Sequence, residues 1–548
     1  MTVIKTNEIR TTNDERRTTS MKRQTQYILA LDQGTTGSRA FLFDARGSVV
    51  ASDYKEFPQY FPKPGWVEHD ADEIWASCVA VIKGVLAKSR VSPAQIAAIG
   101  ITNQRETTVL WDRKTGKPVH RAIVWQCRRT ADFCQGLRAK GLEKLFREKT
   151  GLVIDAYFSG TKIRWLLDHI PGLRLRAEKG QICFGTIDSW LIWKLTGGTS
   201  HVTDLTNASR TLIFNIRSKK WDPQLLKILK IPSAILPRVQ NSGSVFGQTK
   251  QSKNPGRPIG SLCQRLPKGR EQSGLPEGIP IAADLGDQQA ALYGQGCYEP
   301  GTVKNTYGTG CFIVLNTGKK LIFSRKGLLS TLASDDKGKP VYALEGSVFV
   351  AGAVVQWLRD QLGVIKKSSE TGTMIRGLKD THGVYFVPAF VGLGAPYWDS
   401  EARGMICGLT RGANSRHIVR AALESMAYQT KDVFDLMQKE SGRRIKTLNV
   451  DGGACKNDFL MQFQSDILGC RIVRPRVIES TAQGAAYLAG VTIGWWNGPK
   501  DLAKLRKTER TFVPKMSAAR RDEFYAGWQQ AVDKARTGRK SQSHKVTR

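Results

Sequence analysis

The amino-acid sequence predicts an α/β fold built from two related domains that face one another across a cleft. Three observations predict it. Strand–loop–strand hairpins with Gly/Thr-rich loops occur twice, in "YILALDQGTTGSRAFLF" from Tyr27 and in "GTVKNTYGTGCFIVLNTG" from Gly301, most of a domain length apart. Between them, apolar strand-like runs alternate with amphipathic helix-like ones. The chain has 548 residues, more than one core accommodates; length alone allows about three to four domains.

In the first hairpin an apolar strand, Tyr27 to Leu31, runs into Asp32, Gln33, Gly34, Thr35, Thr36 and Gly37. This turn carries no core residue, only a carboxylate, hydroxyls and glycines. Glycines let the backbone turn sharply and present N–H groups, and the hydroxyls add donors. Such a turn suits an anion. An Asp beside an anion makes sense with a divalent cation between them. The run Ala40 to Phe43, the turn Ala45-Arg46-Gly47 and Ser48 to Ala51 complete a β-meander. "DADEIWASCVAVIKGVLAKS" then reads as a helix with Asp70 or Asp72 as N-cap. The buried strand "IAAIGIT" ends at Asn103-Gln104-Arg105-Glu106. Ligands of open α/β sheets collect at the carboxyl ends of strands, which makes Arg105 and Glu106 candidate substrate contacts. An exposed surface ion pair is the competing reading.

Residues 250–278, rich in Pro, Gly, Lys and Arg, read as a long exposed basic loop. Order resumes with "IPIAAD", and Gly286, Asp287, Gln288 and Gln289 open the helix "QAALYGQG", with a boundary near 295. The second hairpin turns at Thr306 to Gly310, so two loops would grip one phosphate chain from opposite sides. In "YALEGSVFVAGAVVQWLRDQL" the small residues Ala351, Gly352 and Ala353 leave room for a flat group against a helix. "TLNVDGGACKNDFLMQFQSDIL" gives a strand, a Gly452-Gly453 turn and an electropositive helix start, a combination that suits a nucleotide.

Composition narrows the class. No run of about 18 apolar residues exists, so no transmembrane helix is expected. The ten cysteines are scattered without a C-x-x-C pair, which fits a reducing cytoplasm and not a zinc site. Residues 1–24 read as a polar, disordered extension without the apolar stretch of a signal peptide, and residues 536–548 as a basic solvated tail. The net charge of +35 would attract polyanions. Its cations are spread along the chain and interleaved with Asp and Glu, with no finger spacing, heptads or aromatic–basic motif, so nucleic acid is not the expected partner.

Other phosphate chemistries are excluded by motif. There is no G-x-x-x-x-G-K-[ST], no G-x-G-x-x-G opening a helix and no protein-kinase signature set. A two-domain ATPase of the actin-like, ribonuclease H-like type remains.

At this point a family resemblance becomes specific. "ALDQGTTGSRA", "ITNQRETTVLW", "IVWQCRRT", "GLVIDAYFSGTKIRWLLDH", "NTYGTGC", "VPAFVGLGAPYWD" and "GLTRG" resemble the FGGY family of carbohydrate kinases, and within it the members that phosphorylate glycerol. The alternative, a pentulose or other polyol kinase of the same family, usually lacks contiguous "NQRETT" and "WQCRRT". A non-enzymatic actin-like ATPase associated with nucleic acid is the remote alternative. The resemblance implies ATP- and Mg²⁺-dependent phosphorylation of glycerol to sn-glycerol 3-phosphate by a cytoplasmic homo-oligomer, dimer or tetramer. It implies a substrate domain at 25–295 and a nucleotide domain at 296–535.

Carried over by position, it implies that Thr35, Thr36, Gly37 and Arg39 meet the phosphates and that Asp32 holds Mg²⁺. Gly37 stands where close relatives often have Ser, which removes a hydroxyl and keeps a backbone N–H. Arg105, Glu106, Tyr157, Asp287 and Gln288 would hydrogen-bond the triol, with Trp125 and Phe312 against its carbon face. Thr309, Gly352, Gln356, Gly453 and Asn457 would hold the nucleotide in the second domain, and Asp287 would be the general base. The chemistry agrees: a small, nearly all-polar substrate needs several fixed donors and acceptors and an apolar wall. Competing readings make Asp287 an ordinary N-cap, Trp125 and Phe312 plain core, and Asn457 and Asp458 helix caps.

Overall fold

The computed structural model describes residues 26–250, 273–399 and 401–537. The expected N-terminal extension, residues 251–272 of the basic loop and 538–548 of the tail lie outside the described residues.

The meander forms as its pattern dictates. Tyr27–Gln33 pairs antiparallel with Gly37–Phe43, which pairs antiparallel with Val49–Glu56. On its other side Tyr27–Gln33 pairs parallel with Ile96–Asn103, which pairs parallel with Pro280–Gly286. The short strand Gly247–Gln248 closes this six-stranded sheet. Helix Ala71–Ser89 starts on Asp70, whose side chain accepts from the backbone of Asp72 and Glu73. Its apolar stripe, Ile74, Cys78, Val81, Ile82 and Val85, packs on the sheet with Trp111 and Trp190.

The second sheet repeats the plan. Val303–Tyr307 pairs antiparallel with Cys311–Gly318, which pairs antiparallel with Pro340–Val348. Val303–Tyr307 also pairs parallel with Thr447–Asp451, which pairs parallel with Arg471–Pro475. Thr508–Phe512 closes one edge and Leu329–Ser334 adds a seventh strand at the other. The duplicated hairpin is thus the visible part of a duplicated sheet. The long helix Ser415–Ser441 and Ala518–Ala535 cover this half, with Trp528 stacked on Tyr428 in the core.

The halves meet along two helices. Asp287–Gly294 follows the last parallel strand of the first sheet, and Ser480–Thr492 packs across it and onto that same sheet. The contact is backbone on backbone. A Cβ on Gly484 would overlap the Ala290 carbonyl, and one on Gly294 would overlap that of Ser480. Ala482, Ala486 and Ala489 continue the small-residue face against Ile28, Ala30, Ala98 and Ala290. No helix among the described residues is long and apolar enough to cross a membrane. All nine cysteines among the described residues are free thiols.

Candidate active site

The site is assembled at the carboxyl ends of the parallel strands. Ile96–Asn103 delivers Asn103 to Glu106, and the chain turns there with Glu106 at φ 61, a left-handed conformation uncommon outside glycine. Arg105 and Glu106 are 2% and 1% exposed, so the surface-pair reading does not hold. Arg105 Nε lies 2.9 Å from Asp287 Oδ1. Its Nη1 donates to Glu345 Oε2 at 2.5 Å and to Gln289 Oε1 at 3.2 Å, and its Nη2 to Glu345 Oε1 at 3.1 Å. Arg210 continues the chain of charges: Nε donates to Glu106 Oε1 at 2.5 Å, and Nη2 is 3.0 Å from Glu345 Oε1.

Two arginines and two glutamates therefore alternate in a buried network. Burial alone would raise the Glu345 carboxyl, but Arg105 and Arg210 on either side hold it down at about 2. Burial raises Glu106 above its ordinary value, with Arg210 and Arg105 opposing the rise. All four charges find their partners within the protein.

Asp287 is the first residue of helix Asp287–Gly294, and its N-cap is Gly286 with no side-chain bond. Asp287 Oδ1 nevertheless accepts from the Gln288 N–H at 2.7 Å, so the carboxylate serves the first turn of the helix although it is not the formal N-cap. Its side chain is 32% exposed, held at one oxygen by Arg105. Gln288 Oε1 accepts from Lys304 Nζ at 2.5 Å, and the same ammonium donates to Thr306 Oγ1 at 2.7 Å. Burial draws Lys304 down to about 8, against Asp451, Asp287 and Glu345, which favour its charge. The aromatic residues lie around this network. Trp125 meets Tyr157 edge to face at 5.5 Å, Arg210 lies 5.5 Å from the Tyr157 ring centre, and Arg105 lies 6.0 Å from that of Phe312. Trp125 and Phe312 are half-buried rather than sealed in a core.

The turn Gly34–Gly37 adjoins them through Trp125 Nε1, which donates to Thr35 Oγ1 at 2.9 Å. The carbonyls of Thr35 and Thr36 are engaged from behind by Gln59 and the Phe57 N–H. Asp32 lies in register with Arg39. Its carboxyl is pushed up to about 7, by burial first, with Glu479 and Asp287 adding and Arg39 opposing. Arg39 pairs with Glu479 at 2.8 Å.

The remaining predicted residues form a second group on the second sheet. Thr309 is exposed in the loop between Val303–Tyr307 and Cys311–Gly318. Helix Gly352–Asp360 begins directly on that loop. Gly352 N donates to the Gly308 carbonyl at 3.0 Å, and a Cβ on Gly352 would stand 2.5 Å from that oxygen. Gln356 is exposed one turn along. Gly453 faces open space after the neighbouring strand. Asn457 caps Asp458–Leu468 by accepting from Leu460 N at 3.0 Å. Asp458 is not a cap: it binds Arg474 and Arg510.

Sequence reasoning missed Arg210, Glu345, Gln289 and Lys304. The signal for Glu345 was present. A lone carboxylate inside the apolar strand "YALEGSV" must have a buried partner, and its partners Arg105 and Arg210 lie in distant segments.

Models of the FGGY family of carbohydrate kinases match this chain, the N-terminal domain over residues 27–294 and the C-terminal domain over 303–493. The chain belongs to the FGGY family of carbohydrate kinases. This FGGY kinase is 55% identical over 510 residues to the glycerol kinase of Caldanaerobacter subterraneus, covering 93% of this chain and 98% of the relative. It is 56% identical over 510 residues to the glycerol kinase of a Geobacillus strain, covering 93% and 99%. Among solved structures it is similar to Plasmodium falciparum glycerol kinase with ADP, at TM-score 0.84 and 37% identity over 93% of this chain and 98% of that one. A gluconate kinase from Lactobacillus acidophilus, at TM-score 0.81 and 23% identity, shares the fold.

Proposed function

We propose that this FGGY kinase transfers the γ-phosphoryl group of ATP to a terminal hydroxyl of glycerol, giving sn-glycerol 3-phosphate. The observation that carries the reading is identity of 55% and 56% over 93% of the chain to glycerol kinases. The site's chemistry supports it. Arg105, Glu106 and Tyr157 offer donors and acceptors, Trp125 and Phe312 supply apolar walls, and Gln288 lies beside Asp287. A three-carbon triol can use all of these; an apolar substrate would cover polar atoms of Asp287 and Gln288 without replacing their hydrogen bonds to water.

Asp287 acts as the general base. Arg105 holds one of its oxygens at 2.9 Å, which orients the carboxylate toward the open side of the site. It takes the hydroxyl proton as the alcohol oxygen bonds to the γ-phosphorus, the bond from that phosphorus to the β–γ bridging oxygen breaks, and ADP leaves. Arg39 and the turn Thr35–Gly37 bind phosphate oxygens on one side. Thr309, Gly352, Gln356, Gly453 and Asn457 receive the nucleotide on the other.

A divalent cation fits the donor set. Asp32 would hold it: its carboxyl is buried, whereas the neighbouring carboxylates of Glu479 and Asp287 are taken by Arg39 and Arg105, and one carboxylate with phosphate oxygens and water is a donor set that suits Mg²⁺. When bound, Mg²⁺ neutralises charge on the phosphates. The reading includes a cytoplasmic homo-oligomer, which light scattering on the purified chain tests. A coupled ADP-release assay across glycerol, other polyols and ketoses tests the substrate. Glycerol is expected to give the highest kcat/KM; a pentulose that exceeds it overturns the reading.

A further inference from the structure

Tyr54 sits where Gly37 has no side chain. A Cβ built on Gly37 would stand 2.5 Å from Tyr54 Cε2 and 2.7 Å from Tyr54 Oη. The phenol therefore fills the space beside the turn that a residue at position 37 would fill itself. The sheet register accounts for this. Asp32 is directly opposite Arg39, and Arg39 directly opposite Tyr54, so the three side chains form one row on one face. From that row the Tyr54 ring leans toward Gly37, with the Arg39 guanidinium 5.3 Å from its centre.

Tyr54 is not there to bury apolar surface, because it is 46% exposed. Nor is its hydroxyl committed. Its acceptor is Glu56 Oε1 at 3.3 Å, also exposed, a length beyond a good O–H···O bond. A large ring held over a glycine at the rim of an anion-suited turn, with a loosely held hydroxyl, is a donor kept for a ligand.

We propose that Tyr54 is a nucleotide-contacting residue: its hydroxyl donates to the phosphate chain held by the turn Thr35–Gly37, supplying the hydroxyl that Gly37 lacks. This rests on the reading of that turn as a phosphate loop. Gly37 and Tyr54 then form one functional pair, and either residue can carry the hydroxyl but not both together.

That exclusivity gives the test. ATP and ADP affinities of the full chain are measured by titration calorimetry, and the KM for glycerol by coupled assay. Tyr54→Phe keeps the ring and removes the donor, and is expected to weaken ATP about tenfold, as loss of a hydrogen bond to a charged group does. The glycerol KM should stay within twofold. Gly37→Ser alone is expected to weaken ATP, because the new side chain meets the phenol. Gly37→Ser combined with Tyr54→Ala is expected to bind ATP more tightly than Gly37→Ala combined with Tyr54→Ala. The Lys55 carbonyl stands 2.8 Å from the built Cβ, and both double variants meet it equally, so they differ only in the hydroxyl. Tyr54→Phe binding ATP within twofold of wild type overturns the proposal, as does a Gly37→Ser double variant that binds no tighter than the Gly37→Ala one. A wild-type chain that binds no nucleotide removes the phosphate-loop reading as well, so the two failures are told apart.

Discussion

Asp287 and Glu345 are both carboxylates near Arg105, yet their surroundings give them opposite work. Asp287 is a third exposed and held at one oxygen, so it can accept a proton. Asp287→Asn keeps size and polarity but cannot take that proton. Its kcat is expected to fall by about 10²–10⁴, the span for general base catalysis, with circular dichroism and melting near wild type. A folded variant retaining more than a tenth of kcat rules Asp287 out as the base. Glu345 is sealed between two guanidinium groups and touches no open space. Glu345→Gln removes the carboxylate that Arg105 and Arg210 share, leaving them Asp287 and Glu106, and breaking a buried pair costs about 3–5 kcal/mol. Denaturant unfolding should show that loss, and the glycerol KM should rise at least about tenfold as Arg105 loses its fixed orientation. A variant with wild-type stability and KM would show that the network is ornamental. The candidate site was legible in sequence where its residues fall in one local motif, as Arg105 and Glu106 do. Arg210 and Glu345 escaped because each gains meaning only from partners more than a hundred residues away.

Elements were legible for a related reason. Each hairpin is set by a few consecutive residues, an apolar strand broken by Gly and Thr, and the strands formed where that pattern put them. The strand Val49–Glu56 ran well past the expected Ser48 to Ala51, because its outer residues are polar and its length is set by pairing with Gly37–Phe43. Helix docking was not legible at all. Ser415–Ser441 and Ala518–Ala535 are joined through Asp432, which accepts from Tyr525 Oη at 2.7 Å and Trp528 Nε1 at 3.0 Å. Burial pushes this carboxyl up to about 7, with the bonds from Tyr525, Trp528 and Tyr397 opposing. The folded state then keeps a proton that the unfolded chain has lost between about pH 4 and 7. Its contribution to stability accordingly declines as pH rises through that window and levels off above it. Asp432→Asn has no such proton to lose. The difference in Tm, variant minus wild type, is expected to climb from pH 5 to pH 8 in calorimetric scans. A constant or falling difference would contradict the assignment.

At the scale of the molecule, the halves are related in plan but not independent. Arg105–Glu345 and Arg39–Glu479 cross between them, and Ser480–Thr492 lies on the first sheet with its backbone against Asp287–Gly294. The two sheets were foreseeable from the repeated hairpin. This exchange was not, because a run of small residues in a helix does not say which sheet it will lie on. A fragment of residues 1–295 should therefore lack a cooperative thermal transition, while the full chain melts with the first sheet and Ser480–Thr492 protected together in hydrogen exchange. A well-folded fragment with a sharp transition would show that the first half needs no cover.

The position of Ser480–Thr492 also has a consequence in time. A ribosome has finished the last parallel strand of the first sheet long before it makes the helix that covers that sheet. Almost 200 residues separate Gly294 from Thr492, which at about 5–20 residues per second amounts to roughly 10–40 s of synthesis. Through that interval the face around Ile28, Ala30, Phe41, Phe43 and Ala98 lacks the helix that covers it in the folded chain. Its two phenylalanines are then open to other nascent chains until Ser480–Thr492 arrives.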